Sequence, residues 1–405
     1  MENTIMESRK NWKQVLLMLY SGQFFSLLSS AAVQFSIIWW LTDTTGSPLV
    51  LAMAGIAGFL PQALLGPVAG AFVDRYSRKT MMIAADMTVA LGSIALFAAM
   101  SFGEPSIALV IIVLMVRSLA TAFHMPAMQA SVPLLAPEEH LTKASGWGQM
   151  VSSITNVAGP AVGMALLAAS SIQWVLLLDV LGAVIASGVL LFIHIPKPAA
   201  AGEQAEDRAG LIAEMKEGYQ AIAKHRLLWK LTMLMTAIAV LFIPIGTYFP
   251  LMVRNHFGKG VVEAGVVETV FAIGLIAGAS LVGVLGDRLD KIKTMAAGMA
   301  LMGIALCLSG LLPSSGYYAF VVMSALIGIS GPLFSAPFYA YVQTEIEPHL
   351  LGRVFSFITS LSLLATPIGM GLAGAVTELT SVAFLFSAAG LLVILNAALT
   401  LKVKK

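Results

Sequence analysis

The chain has 405 residues, of which 58% are hydrophobic and only 11% are charged, and its net charge is +2. A soluble globular domain usually carries about 25% charged residues, so a chain this poor in charge keeps most of its side chains away from water. The weak net charge favours no nucleic-acid partner. The single cysteine, Cys307, excludes an intrachain disulfide and a multi-cysteine metal site.

Long apolar runs predict twelve membrane-spanning helices, because a spanning helix needs roughly 20 apolar residues. The six runs of the first half are residues 14–41, 48–72, 80–102, 106–123, 143–169 and 173–194. The six runs of the second half are residues 228–252, 264–286, 294–312, 317–336, 353–377 and 381–401. The predicted fold class is therefore an all-α polytopic membrane protein embedded in a lipid bilayer.

The distribution of basic residues predicts the orientation of these helices. Placing the N-terminus in the cytoplasm puts 20 of the 23 Lys and Arg residues on the inner side. Only Arg254 and Lys259 then lie outside, while Arg117 lies within the membrane. Because inner loops are enriched in Lys and Arg, both termini are predicted to be cytoplasmic, with the chain in the cell inner (plasma) membrane.

A long polar stretch, residues 195–227, divides the chain into two predicted six-helix bundles, residues 1–194 and 228–405. Its prolines and small residues are typical of a flexible linker. Apolar residues then recur at helical spacing, which predicts an amphipathic helix on the inner membrane surface. These residues are Leu211, Ile212, Met215, Tyr219 and Ile222. The alternative is a simple solvated tether.

Three short patterns recur in the second half of the chain, between 210 and 213 positions later. They are residues 70–75 and 283–288, at the predicted ends of helices 2 and 8; residues 123–126 and 334–337, at the predicted ends of helices 4 and 10; and residues 141–143 and 351–353. Their constant order predicts two pseudo-symmetric six-helix halves. A parallel repeat of this kind is typical of transporters that rock about a site between their halves, although channels also contain repeats.

The loop between helices 2 and 3 joins an acid and several bases in a tight turn at the inner surface. Its residues of interest are Gly70, Asp74, Arg75, Arg78 and Lys79, and a degenerate copy holds Asp287 and Arg288. An acid beside bases can pair across helix ends or interact with a helix N-terminus, which indicates a gate. The alternative is that the bases only anchor the loop at the inner surface.

This loop resembles the signature loop of the major facilitator superfamily, and the resemblance covers the whole chain. Ser77 stands where the superfamily usually has glycine. Within the superfamily, the chain resembles macrolide-efflux-type drug exporters. The segments that carry this resemblance are residues 22–23, 59–61, 123–127, 137–143, 179–187, 352–356 and 367–369. The resemblance implies proton-driven export of small lipophilic drugs such as macrolides, with no cofactor.

Helix 5 contains Gly159, Pro160 and Gly163. Small residues four positions apart let two helices approach closely, and a proline removes one backbone hydrogen bond and can kink the helix. The segment resembles the antiporter signature of drug exporters, although Thr155 stands where the longer pattern has glycine. The alternative is a role in packing only.

Arg117 lies within the fourth predicted helix, where a charge costs about 2.5–3.5 kcal/mol and therefore needs a partner. Asp86 on helix 3 is the expected partner. Asp86 lies seven positions after Lys79, at the inner end of helix 3, and Arg117 lies seven before His124, at the inner end of helix 4, so both are expected at a depth of roughly 10 Å. The pair is expected either to relay protons or to form a static brace.

Two further polar residues are candidates for proton or substrate binding. Asp179 lies in the outer part of helix 6 and is the reserve proton site, although a packing role is the alternative. Gln23 on helix 1 is positioned to line a site.

Other functional classes compete with proton-coupled drug export. The first alternative is an exporter or flippase of a physiological substrate, such as a siderophore or a lysophospholipid. The second is a membrane enzyme or sensor that transports nothing. No metal-binding cluster or phosphate-binding loop is evident in the sequence, and a monomer is the simplest assembly.

Overall fold

The computed structural model describes residues 11–137, 140–196, 217, 219–285, 290–347 and 350–403. This part of the chain contains 12 helices long and apolar enough to cross a membrane. The first six are α1 Trp12–Thr45, α2 Pro48–Arg75, α3 Arg78–Phe102, α4 Ile107–Leu135, α5 Leu141–Ala169 and α6 Ile172–Phe192. The other six are α7 Arg226–Leu251, α8 Val261–Leu285, α9 Lys291–Leu311, α10 Tyr317–Glu345, α11 Leu351–Leu379 and α12 Val382–Lys402. The predicted all-α polytopic fold is confirmed.

Two helices extend well beyond their predicted inner ends. α4 continues past Pro126 and Pro133 to Leu135, and α10 continues past Pro337 to Glu345. The prediction that both helices stop near these prolines is wrong. Membrane helices tolerate proline because neighbouring helices and polar side chains satisfy the backbone groups that it frees. A polar residue near a proline therefore marks a protein-facing surface here and not the end of the helix.

The chain forms two compact units. The first unit comprises Met1–Trp40 and Ala57–Ala205, and the second comprises Leu41–Ile56 and Glu206–Lys405. Within the first unit, α3 packs against α4 and α6; within the second, α9 packs against α10 and α12. The same packing therefore recurs six helices later, as the repeated sequence patterns predict. Residues 197–216 and 218 lie outside the described residues, so the linker and its amphipathic helix stay predictions.

The connection between α1 and α2 belongs to the second unit, although most of both helices belongs to the first. Gly46 takes the left-handed backbone conformation (φ +56°) at the end of α1, and Pro48 begins α2. Glycine is favoured just after a helix and proline at its first position, so the sequence specifies this sharp reversal. Tyr248 Oη on α7 donates to the Pro48 carbonyl at 2.8 Å.

A π-helical turn, Met252–His256, continues α7 and also contacts the α1–α2 connection. Arg254 Nε donates to Asp43 Oδ1 at 2.7 Å. Asn255 Nδ2 donates to the Gly46 carbonyl at 3.0 Å. Single π-helical turns are rare and occur frequently at functional sites, because the extra residue redirects the side chains that follow.

The first unit has an aromatic and aliphatic core around the start of α1. Trp12 is buried and stacks on His140 and Trp147, with ring centroids 4.8 and 5.8 Å away. Tyr20 Oη donates to the Ala144 carbonyl at 3.0 Å. These contacts fix α1 against the start of α5 and against the α4–α5 connection.

Candidate functional site

The described part of the first unit contains a buried ion pair between Arg117 on α4 and Asp179 on α6. Their side chains are 6% and 0% exposed. Ser93 Oγ on α3 donates to Asp179 Oδ2 at 2.6 Å, and Ser30 Oγ on α1 donates to Asp179 Oδ1 at 3.1 Å. Both carboxylate oxygens of Asp179 are therefore satisfied by groups from three other helices.

Arg117 makes two further contacts besides the ion pair, through its two terminal nitrogens. Its Nη1 also approaches Ser93 Oγ at 3.2 Å, and its Nη2 donates to the Ser30 carbonyl at 3.1 Å. Opposite charges in a low-dielectric interior attract strongly, and further hydrogen bonds offset the cost of removing them from water. We refer to Ser30, Ser93, Arg117 and Asp179 as the closed layer.

The predicted pair between Asp86 and Arg117 is wrong. The depth estimate for Arg117 assumed that α4 ends near His124, but α4 ends at Leu135. Arg117 lies 18 positions before that end, or about 27 Å along the helix, while Asp86 lies 8 positions after the start of α3, or about 12 Å. The two side chains therefore lie at different depths, and Arg117 instead meets Asp179.

Asp86 lies in a second polar cluster, with Ser26 on α1 and His124 on α4. Ser26 Oγ donates to Asp86 Oδ1 at 2.7 Å. His124 Nε2 lies 3.4 Å from the same oxygen, close enough for an ion pair when the imidazole is protonated. All three residues are buried. Among the described residues, Asp86 Oδ2 and His124 Nε2 have no hydrogen-bond partner. We refer to these three residues as the open layer.

Helix periodicity explains why the two layers exist. Asp86 and Ser93 are seven positions apart on α3, and Arg117 and His124 are seven positions apart on α4. Residues seven apart lie on one face of a helix, about 10 Å from each other. The faces of α3 and α4 that pack together therefore carry two polar contacts, one with each base of α4.

Gln23 lies on α1, three positions before Ser26 and so on nearly the same face. Its side chain is 0% exposed. Neither Oε1 nor Nε2 of its amide has a hydrogen-bond partner among the described residues. Buried polar groups are usually paired, because an unpaired one costs several tenths to a few kcal/mol. An amide left in this state is free to bind water or a ligand.

A cleft of about 430 Å³ lies between α1, α4 and α5 within the first unit. Its walls combine methionine, an aromatic ring, amides and hydroxyls, and no charged side chain is among the described residues that line it. The lining includes Tyr20, Met125, Met128, Gln129, Gln149 and Ser152. Such walls suit a neutral ligand with apolar surface and a few hydrogen-bonding groups.

Two residues of functional interest were not predicted from the sequence. His124 was placed at a helix end, whereas it is buried inside α4. Glu268 was not counted as an intramembrane acid, although it lies inside α8 and beside Thr269, whose buried hydroxyl has no hydrogen-bond partner among the described residues. Its position inside an apolar run was the available signal. The described residues contain no group of three or more His, Cys, Asp or Glu that could hold a metal ion.

Comparison with known proteins decides the family. The profile of the Major Facilitator Superfamily matches residues 19–267 and 245–405. The chain belongs to the major facilitator superfamily. Macrolide efflux protein A of Streptococcus pyogenes is 39% identical over 390 residues, which cover 96% of each chain. Multidrug efflux pump Tap of Mycobacterium tuberculosis (strain ATCC 25618 / H37Rv) is 28% identical over 88% of this chain and 86% of its own.

The superfamily fold is also found by structural comparison. A bacterial homologue of the iron transporter ferroportin, in an inward-facing state, superposes with a TM-score of 0.71 at 15% identity and covers 96% of this chain and 98% of that one. Relatives and structural neighbours are transporters. This superfamily member is accordingly a multi-pass membrane transporter, not an enzyme, and is similar to macrolide-efflux-type exporters.

The superfamily signature loop is partly described. Gly70, Asp74 and Arg75 end α2, but their side chains lie outside the described part of the structure, as do residues Asp287 and Arg288 of the second copy. The expected contacts of these acids and bases therefore stay predictions.

Three residues after the end of α2 have defined positions. Ser77, where the superfamily usually has glycine, caps α3: its Oγ accepts from the Thr80 N–H at 3.4 Å, and its φ of −63° needs no glycine. Arg78 is buried. Lys79 Nζ donates to the carbonyls of Leu191 and Ile193 at 3.1 Å each, and so caps the last turn of α6.

The antiporter-like segment brings α5 against α1. A Cβ atom on Gly159 would overlap the Cβ of Ala31, and one on Gly163 would lie 2.6 Å from the Ala32 carbonyl oxygen. Pro160 lies inside α5 without ending it. The small residues therefore let the two helices approach so closely that no larger side chain fits between them.

Proposed function

We propose that this transporter exports neutral, lipophilic, macrolide-like drugs by alternating access, coupled to proton entry. The observation that carries the proposal is the similarity to Macrolide efflux protein A, which extends over 96% of both chains. A similarity of this length reaches into every membrane helix, because the 15 residues that it leaves out are fewer than the 21 of the shortest helix. It therefore supports a similar transport pathway as well as a similar fold.

The cleft between α1, α4 and α5 supports a lipophilic substrate. Methionine side chains are flexible and polarisable, so Met125 and Met128 can adapt to different apolar surfaces. Gln129 and Gln149 offer amide donors and acceptors to hydroxyl, keto or ester groups. Because the described lining carries no charge, the cleft selects against ionic ligands, which would lose their hydration without compensation.

Proton coupling is proposed because acids lie deep inside the membrane-spanning helices. Asp86 and Asp179 are both buried, and burying a carboxylate in the bilayer interior is costly unless it has a function or a firm partner. A proton that crosses a membrane potential of 100 mV releases about 2.3 kcal/mol, which is available to drive export. Arg117 is the charged neighbour of Asp179, and Gln23 lies one helical turn from Ser26, which donates to Asp86.

The transporter is proposed to have both termini and residues 195–227 in the cytoplasm. The support is the 20 of 23 basic residues that this orientation places inside. Cysteine tags at Glu206 and Lys405, in a Cys307→Ala background, are expected to react only after the inner membrane is permeabilised. Labelling of intact cells at either tag contradicts the orientation.

The signature loop is proposed to act as an inner gate, with Gly70, Asp74 and Arg75 at the end of α2 and Asp287 and Arg288 in the second copy. Asp74→Asn is expected to reduce efflux while leaving the protein in the membrane. Unchanged efflux and unchanged accessibility of the inner surface would reduce the loop to a membrane anchor.

Reconstituted protein tests the proposed function directly. Purified full-length transporter in liposomes is expected to move radiolabelled erythromycin against its gradient when a pH gradient is applied, and to stop when a protonophore removes that gradient. A drug-susceptibility panel in an efflux-deficient bacterial host then defines the range of drugs. Absence of erythromycin flux, together with flux of a siderophore or a lysophospholipid, would replace drug export by a physiological substrate.

A further inference from the structure

We propose that the open layer, Asp86 with His124 and Ser26, binds the coupling proton, and that the closed layer around Arg117 and Asp179 is a fixed brace. The proposal rests on the proposed proton-coupled export and deepens it by assigning the proton to one of two buried acids. It also gives a role to His124, which lies in a repeated sequence pattern to which no role was assigned.

The two acids differ in how completely their hydrogen-bonding capacity is used. Asp179 accepts from Ser30 and Ser93 and pairs with Arg117, whose charge is permanent. Protonating Asp179 would strand that buried guanidinium, which is strongly unfavourable. Asp86 accepts from Ser26 through Oδ1, while its buried Oδ2 has no partner among the described residues. A proton can therefore be added at Asp86 without breaking any contact that the described residues make.

His124 completes a two-site proton acceptor. With a neutral imidazole, the Asp86–His124 pair carries one negative charge; one bound proton makes it neutral overall. That proton is held either as a carboxylic O–H on Asp86 or as an N–H on His124 Nε2, which lies 3.4 Å from Asp86 Oδ1. On release, the proton returns to water and the pair regains its charge.

No unpaired charged group among the described residues around the open layer offsets the charge that the layer gains or loses with a proton. Of the helices packed against α3, α4 contributes His124 and Arg117, and α6 contributes Asp179. Arg117 and Asp179 neutralise each other in the closed layer. α1 contributes uncharged groups, Ser26 and the unpartnered amide of Gln23. The gain or loss of one proton therefore changes the net charge of this buried region by a full unit, which can bias the transporter between its states.

The cleft places a substrate next to this charge change. Met128 in the cleft wall lies four positions after His124 on α4, and Tyr20 lies three positions before Gln23 on α1. Residues three or four apart are neighbours on a helix surface, about 5–6 Å between their Cβ atoms. A drug in the cleft and a proton on the Asp86–His124 pair are thus one helical turn apart, which is close enough for each to change the binding of the other.

The test uses purified full-length protein in liposomes and radiolabelled erythromycin as the probe. Two modes are compared: uptake driven by a pH gradient, and exchange against unlabelled erythromycin with no gradient. Asp86→Asn is expected to lose the pH-driven component and to keep exchange. His124→Gln is expected to shift the external pH at which driven uptake is half-maximal. Thr88→Val, on the same helix, removes a hydroxyl that donates to the Ala84 carbonyl, and is the matched control.

The outcomes separate the two levels of the proposal. Wild-type flux that ignores the pH gradient overturns proton-coupled export itself. If wild-type flux follows the gradient and Asp86→Asn also keeps full pH-driven uptake, proton-coupled export stands. The assignment of the coupling proton to Asp86 is then overturned. If Asp86→Asn loses both exchange and pH-driven uptake while its melting temperature is unchanged, Asp86 binds the drug. That result also overturns the assignment of the coupling proton to Asp86. If Asp86→Asn does not fold, Asp86→Glu decides: retained coupling with a changed pH profile supports the site, and an unchanged profile contradicts it.

Discussion

Arg117 on α4 and Asp179 on α6 form a buried ion pair, and Ser93 on α3 hydrogen-bonds to the carboxylate oxygen that the guanidinium contacts. The pair joins two helices that are far apart in sequence, and α1 adds two further contacts through Ser30. A network that joins four helices is expected to determine how the first unit is assembled.

Removal of one partner of this pair is expected to destabilise the protein strongly. Asp179→Asn or Arg117→Ala leaves a buried, uncompensated group, and the expected loss is about 3–5 kcal/mol. Thermal unfolding in detergent, followed by the monodisperse fraction that remains after heating, measures the loss.

The double variant Arg117→Met/Asp179→Leu is the matched control for this prediction. It replaces both charges by apolar groups of similar size, so its loss is expected to be much smaller than the sum of the two single losses. Additive losses would show that the two residues act independently.

Gly159 is expected to be essential for the packing of α5 on α1. Gly159→Leu places a side chain where the Cβ of Ala31 lies, so the helices must separate, and efflux is expected to fall more steeply than the amount of protein in the membrane. Gly146→Leu is the matched control on the same helix, because a Cβ at Gly146 meets nothing within 4 Å. Leucine favours a helix over glycine by several tenths of a kcal/mol, so the control is expected to fold normally. Equal losses in expression and efflux would leave Gly159 a packing role only.

Hydrophobicity predicted the existence and the order of all twelve helices, because the bilayer requires long apolar runs whatever the tertiary contacts are. It did not predict where α4 ends. His124 and Pro126 interrupt the apolar run, and a single sequence does not distinguish a polar residue that faces protein from one that faces water. The predicted end of α4 was about three turns too early, so the predicted depth of Arg117 was wrong. For that reason Asp86 was expected as the partner of Arg117, whereas the observed partner is Asp179.

The sequence predicted which charged and amide residues form the polar site, but not which of them contact each other. Arg117, Asp86, Asp179 and Gln23 all stand out in the sequence as polar groups inside apolar runs. Their partners depend on how each helix is rotated about its axis, and the contacts of α3 with both α4 and α6 set that rotation. The hydroxyls that complete the site are common in membrane helices, so Ser26 and Ser93 carry no separate signal in the sequence.

Filling the cleft is expected to impair export of large drugs first. Ser152→Phe adds a ring to the wall of a cleft of about 430 Å³, so erythromycin efflux is expected to fall while efflux of a smaller neutral compound is retained. Met150→Phe is the matched control, because Met150 lies two positions away on α5 and is 57% exposed outside the cleft lining. Drug-accumulation assays in cells with equal transporter levels measure the difference. Equal losses for large and small compounds, or a loss in the control, would contradict substrate binding in the cleft.

The exposed ion pair between Asp43 and Arg254 is expected to affect transport more than stability. The two side chains are 49% and 44% exposed, and exposed pairs contribute at most about 1 kcal/mol, so neither single charge reversal should unfold the protein. The pair holds the α1–α2 connection against the π-helical turn, and both of these segments belong to the second unit. In an alternating-access cycle, a change of about 1 kcal/mol in such a contact shifts the ratio of two states by about fivefold.

Asp43→Lys and Arg254→Asp are each expected to change the rate of erythromycin efflux within roughly that fivefold range, and the double reversal Asp43→Lys/Arg254→Asp is expected to restore it. Because salt screens exposed charges, the difference between single variants and wild type should shrink in 1 M salt, where the Debye length is about 3 Å. Efflux is measured in liposomes at low and at high ionic strength with the same pH gradient. Wild-type rates in both single variants at low salt, or a double reversal that is slower than either, would show that the attraction between these charges has no part in the cycle.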